Sequence, residues 1–207
     1  MRRRKVWQTL AVGVVVTVAV ATGCSNGAQP QSAPVQGATV PTAAPTTTTT
    51  NPYAVPDQID AAYVNRVLAG LDAIEGDIFR EVRATKNLTL ETIDRITAFH
   101  TNLATAEVLI NFYQIQMGRN FTGYYETPGN RSTDVVDLIR ATSSCVYASA
   151  ERDNSMLGPD TTGRRPVWVA LRPMPVSHVN PTGWGYQYNG VTPSGGPPTV
   201  NPCAEFS

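Results

Sequence analysis

The sequence predicts an α+β domain in which N-terminal helices pack on an antiparallel sheet of about four strands. Three observations carry this. Between residues 57 and 118 apolar side chains recur at gaps of three and four, the helical period. After Gly118 the gaps shorten to two, and Pro, Gly, Asn and Ser become frequent. Every helical stretch precedes every strand, so the alternation that builds a parallel sheet is missing.

The folded region is preceded by two segments of different character. Arg2, Arg3, Arg4 and Lys5 form a basic start, residues 6–21 an apolar run, and Ala21-Thr22-Gly23 a small-residue end before Cys24. That order reads as a secretory signal over residues 1–23. With Cys24 directly after Gly23 it resembles a bacterial lipoprotein signal, although Ala21 stands where that pattern more often has Leu. The resemblance implies that Cys24 is diacylated and becomes the mature N-terminus, anchored on the outer face of the cytoplasmic membrane. Two alternatives stand beside it: an uncleaved signal anchor, and an ordinary cysteine after signal-peptidase cleavage. Arg3-Arg4-Lys5-Val6-Trp7 leaves export by the twin-arginine route open, though a generic basic start explains it.

Residues 24–52 read as a stalk. From Ser25 to Pro52 no residue is charged or aromatic, and Gly, Ala, Gln, Pro and Thr dominate. Such a stretch cannot bury enough apolar surface to offset the entropy of ordering it. Its prolines favour an extended spacer, and the run Thr46 to Thr50 offers hydroxyls for O-glycosylation.

Within residues 53–207, Asp57 is the expected cap of the first helix, with Asp60 in its first turn. Val64, Val67, Leu68, Leu71, Ile74, Ile78 and Val82 supply its apolar stripe. Arg66, Asp72, Asp77, Arg80, Glu81 and Arg83 are expected on the solvent side, and the helix to end near Lys86-Asn87. Thr89 opens a second helical stretch, with a seam of Ile96, Phe99, Leu103, Ala106, Ile110, Tyr113 and Met117. It runs to Gly118, either unbroken or divided near Thr101-Asn102. Strands are expected at 134–141, 144–152 and 166–172, and a fourth carries Trp184, Tyr186 and Tyr188 on one face.

Helices first and antiparallel strands afterwards resemble the nuclear-transport-factor-like cone, over residues 53–189. The resemblance implies a curved antiparallel sheet. That family hosts enzymes, binders and secretion accessories alike, so it implies no one activity.

Charge and cysteine content narrow the function. Four of the sixteen Lys and Arg residues leave with the signal, so twelve face sixteen Asp and Glu and the mature net charge is −4. A weakly acidic surface gives no support for nucleic-acid binding. If Cys24 carries lipid, Cys145 and Cys203 remain as an even pair in an oxidising compartment and are expected to form a disulfide.

Chemical motifs are sparse. His100 and His178 lie apart without metal-type partners; His100 reads as a core-edge residue and His178 as a loop residue. No nucleophile elbow, phosphate loop, zinc pattern or dinucleotide fingerprint occurs. Asp134 and Asp137 should face opposite ways on a strand. Glu151-Arg152-Asp153 reads as a solvated strand end; Arg164-Arg165 before Pro166 could bind an anion, set against the commoner role of a solvated loop pair. Trp184, Tyr186 and Tyr188 are the candidate ligand contacts, set against a simpler role on a buried face. No catalytic residue, cofactor or metal is assigned. The expectation is a lipid-anchored, non-catalytic binding or accessory module that meets an envelope protein or cell-wall partner. A hydrolase- or isomerase-like cone enzyme and a prophage-type surface-exclusion or structural protein are the alternatives.

Overall fold

The computed structural model describes residues 51–161, 163–191 and 196–204. All of these fall in the second of the chain's two units, Thr48–Ser207. The signal segment, Cys24 and the stalk up to Thr50 lie outside the described residues. The architecture is α+β: three helices on an open four-stranded antiparallel sheet, in the order β1-β2-β3-β4.

Helix α1 spans Ala61–Thr85. Its cap is Asp60, whose Oδ1 accepts the Tyr63 N–H at 2.7 Å, rather than Asp57. The start moves because capping follows burial. Tyr63 is the first buried residue of the helix, and its hydroxyl donates to the Tyr53 carbonyl at 3.1 Å and accepts from Trp184 Nε1 at 2.8 Å. At the other end Lys86 adopts the left-handed conformation, φ 52°, and closes the helix on the Val82 carbonyl, as the sequence leads one to expect. Asp72 is not on the solvent side. It is 2% exposed, facing the sheet.

The second helical stretch is divided. Helix α2 spans Leu90–Thr97 with Thr89 as its cap, and α3 spans Leu103–Gly118 with Asn102 as its cap. The break exists because residues 99–101 do a different job. The Phe99 carbonyl accepts the Tyr186 N–H at 2.8 Å, and the Thr101 N–H donates to the Tyr186 carbonyl at 3.0 Å. This short parallel bridge covers part of the open edge of β4. The continuous seam therefore fails at Leu103, which starts a new helix axis and is exposed.

Strands β1 (Ser132–Thr142), β2 (Cys145–Asp153), β3 (Arg165–Pro173) and β4 (Trp184–Gly190) form an antiparallel meander. Inward-facing Val146, Ala148, Ala150, Val167, Val169, Leu171, Trp184 and Tyr186 pack against Val64, Leu68, Leu71, Ile78 and Val82 of α1 in one core. On the opposite face Cys145, Tyr147, Ala170 and Cys203 form a smaller cluster with Trp168 and Tyr188. The Cys145–Cys203 disulfide, with its Cα atoms 5.8 Å apart, fixes the C-terminal tail to that face.

Register shifts change which side chains share a face. Leu171 pairs with Tyr186, but Ala170 pairs with Tyr188, so Gln187 is an extra residue in β4. Trp184 and Tyr186 consequently point into the main core while Tyr188 joins the outer cluster. The three aromatics do not form one row. A shift at Val136 likewise puts Asp134, opposite Glu151, and Asp137, opposite Ser149, on the same outer face. Their three-residue spacing alone would have separated them.

Candidate functional site

At the end of the sheet where β2 and β4 finish and β3 begins, helices and strands diverge and leave a cavity of about 650 Å³. One wall is apolar: Phe79 of α1 with Leu109 and Phe112 of α3, continued by Tyr124. The polar wall comes from Glu75, His100, Arg131, Arg152 and Asn189. A volume of this size is in the range, roughly 300–1,000 Å³, that encloses a drug-sized organic molecule.

The rim is held by arginines of α1. Arg80 Nη1 donates to Asn130 Oδ1 at 2.7 Å and to the Pro128 carbonyl at 3.4 Å. Arg83 donates to the carbonyls of Glu126 and Tyr124 at 3.3 and 3.4 Å. Phe121 is buried beneath Phe79 and Lys86 at a φ of 53°, an uncommon conformation for a non-glycine residue. Gly158 completes the rim by close approach. A Cβ there would stand 2.5 Å from Tyr124 Cα, so only glycine fits without backbone movement.

The polar wall is built on a buried ion cluster. Arg131 Nε donates to Asp72 Oδ1 at 2.7 Å and its Nη1 to Glu75 Oε1 at 2.5 Å. Asp72 and Glu75 are three residues apart on α1, so both reach the same guanidinium. Burial raises the Glu75 carboxyl above its ordinary range, and Arg131 pulls it only partly back. Burial alone would lower the Arg131 guanidinium, but Glu75 and Asp72 together outweigh it and hold the charge in place. Three buried polar atoms make no hydrogen bond within the described residues at this cluster: Asp72 Oδ2, Arg131 Nη2 and Tyr186 Oη. Burial beside Asp72 keeps the Tyr186 hydroxyl protonated well past its ordinary range.

Arg152 is 4% exposed, not a solvated strand end. Alternation along β2 explains this, since Val146, Ala148 and Ala150 face inward and Arg152 is next in phase. Its Nε donates to Thr133 Oγ1 at 3.1 Å and its Nη2 to Asn189 Oδ1 at 2.6 Å. Both acceptors are neutral. Burial, and then neighbouring Arg131, lower its pKa from the ordinary arginine range.

His100 is 7% exposed and lines the cavity. Its Nδ1 lies 2.8 Å from the Ile96 carbonyl. A carbonyl only accepts, so Nδ1 carries the proton and the imidazole is left with Nε2 as an acceptor. Burial depresses its pKa and favours the neutral ring.

Of the proposed ligand contacts, Trp184 is a core residue bonded to Tyr63, and Tyr186 is wholly buried beneath the ion cluster. Only Tyr188 borders the cavity. Arg164 pairs loosely with Glu151 and Asp153 outside it, whereas Arg165 lines it. His178 is exposed on a loop. Among the described residues no cluster of three or more His, Cys, Asp or Glu could hold a metal ion, and no helix is long and apolar enough to cross a membrane.

The site was partly legible. On α1 the heptad-like line Val64, Leu68, Leu71, Ile78, Val82 runs through position 75, where Glu75 interrupts an apolar seam. A carboxylate at a seam position signals a buried partner. Comparison with family models, with curated proteins and with solved structures finds no match to this chain.

Proposed function

We propose that this chain is an envelope lipoprotein, held by lipid on Cys24, whose domain binds a small amphipathic molecule without turning it over. The observation that carries the reading is the cavity with one apolar wall and one preorganised polar wall. A purely structural or exclusion role needs no such cavity. Acylation of Cys24 supplies the two chains that stable anchoring requires, and the uncharged segment 25–52 acts as a spacer to a partner or cell-wall surface.

Two experiments test it. Titration with an environment-sensitive naphthalene fluorophore should give saturable binding that Leu109→Trp abolishes by filling the cavity. Unsaturable binding, or binding indifferent to Leu109→Trp, would rule the cavity out. Cys24→Ala should remove incorporation of a labelled palmitate analogue; unchanged labelling refutes the anchor.

His100 favours a second reading, a cone enzyme of isomerase or hydrolase type. Its fixed tautomer leaves Nε2 as the basic nitrogen of a ring that lines the cavity. The isomerase form requires deuterium exchange into a bound carbonyl compound and the hydrolase form requires ester turnover, each lost in His100→Gln; neither activity above solvent background refutes the reading.

A further inference from the structure

The cavity holds a feature that a generic amphipathic site does not need. Arg152 of β2 and Arg165 of β3 are directly opposite each other in the register, on the inward face, and both line the cavity. Like charges opposed across strands destabilise a sheet unless a counter-charge sits with them. Neither arginine has an ion-pair partner among the described residues. The nearest buried carboxylates, Asp72 and Glu75, are both committed to Arg131. Arg152 is moreover 4% exposed, with two of its nitrogens fixed by Thr133 and Asn189. A guanidinium immobilised in this way presents its remaining donors in a set direction, which suits a carboxylate.

We propose that the ligand is an amphipathic monocarboxylate. Its carboxylate sits between Arg152 and Arg165, and its hydrocarbon body lies along Phe79, Leu109 and Phe112. This rests on the binding reading above and narrows it to a substrate class. Charge selects the monoanion. Four arginines line the cavity, answered by Glu75, Asp160 and, behind Arg131, Asp72. The excess is one positive charge, which a carboxylate neutralises, whereas a dianionic phosphate overshoots beside Asp72 and Glu75.

The test compares naphthoate, naphthalenemethanol and naphthyl phosphate on the full chain in lipid nanodiscs, by fluorescence or calorimetry. Naphthoate should bind ten- to a hundredfold more tightly than the alcohol, roughly the contribution of charged hydrogen bonds in a desolvated site. Arg152→Gln should remove that preference, read as the ratio of naphthoate to alcohol affinity in the same variant. Arg165→Gln, at an exposed position that tolerates substitution, should reduce the preference severalfold. Equal affinity for naphthoate and alcohol overturns the carboxylate site and leaves the cavity reading standing. A preference that survives both variants, or a tighter phosphate, also overturns it. Binding of none of the three overturns both readings.

Discussion

Replacing Arg131 by Met tests the ion cluster on which the polar wall stands. The substitution keeps an unbranched side chain but removes the partner of Asp72, at 2.7 Å, and of Glu75, at 2.5 Å. Asp72 is 2% exposed and its second oxygen already lacks a partner, so the loss strands buried charge. Breaking a buried ion pair from one side costs about 3–5 kcal/mol, a large share of the ~5–15 kcal/mol that holds a domain folded. For a domain of this size that corresponds to a fall in Tm of about 6–20 °C. The pH dependence gives a sharper criterion. Burial already raises the folded pKa of Glu75 above its ordinary 4.5, and Arg131 opposes this. Arg131→Met therefore raises it further. A carboxyl whose folded pKa exceeds the unfolded one lowers stability above that folded pKa, and the penalty vanishes as pH falls to the unfolded value. The gap between wild type and variant should be widest near pH ~7 and narrow towards pH ~4.5. Arg131 also helps to lower the His100 pKa, after burial; its removal lessens the cost of protonating that ring and narrows the gap on acidification in the same direction. Urea melts at several pH values supply the measurement. A gap below about 1 kcal/mol at neutral pH, or one that widens on acidification, would refute the account of the cluster.

Two further outcomes are expected. Cys203→Ser releases the tail from the outer face of the sheet; the 58-residue separation gives a loss of about 4 kcal/mol by chain entropy, read by urea melts against the oxidised, disulfide-bonded wild type. If both thiols of the native protein alkylate freely, the disulfide is refuted. Asn180→Ala removes the Nδ2 bonds to the Ala98 and Trp184 carbonyls, both 2.9 Å, and the Oδ1 that accepts from the Thr182 hydroxyl at 2.7 Å, leaving that hydroxyl only its 3.2 Å contacts with Trp184. It should cost about 2–4 kcal/mol in thermal or urea unfolding, and a loss under about 0.5 kcal/mol would show that the turn into β4 does not depend on it.

The sequence alone determined the order of elements, because local periodicity reports local geometry. Three-and-four gaps up to Met117 and two-residue gaps from Val167 onward each reflect which face of one element meets a core. Caps at Thr89 and the stop at Lys86 were legible for the same reason, since each satisfies hydrogen bonds within its own turn. Arg152 was legible in principle too, as the next inward position after Val146, Ala148 and Ala150.

Only the tertiary structure decided the rest. The extra residue at Gln187 sends Tyr188 to the opposite face from Tyr186, and the one at Val136 brings Asp134 and Asp137 together. A register shift depends on the partner strand, so no pattern within one strand reveals it. Arg131 comes from the segment before β1, more than fifty residues from Asp72 and Glu75, and joins them only when α1 lies over the sheet. His100 gains its role because Phe99 and Thr101 bridge to Tyr186. Glu75, Arg131, Arg152 and Asn189 each depend on a partner distant in sequence, and such partners are chosen by packing, not by the residue's own neighbours along the chain.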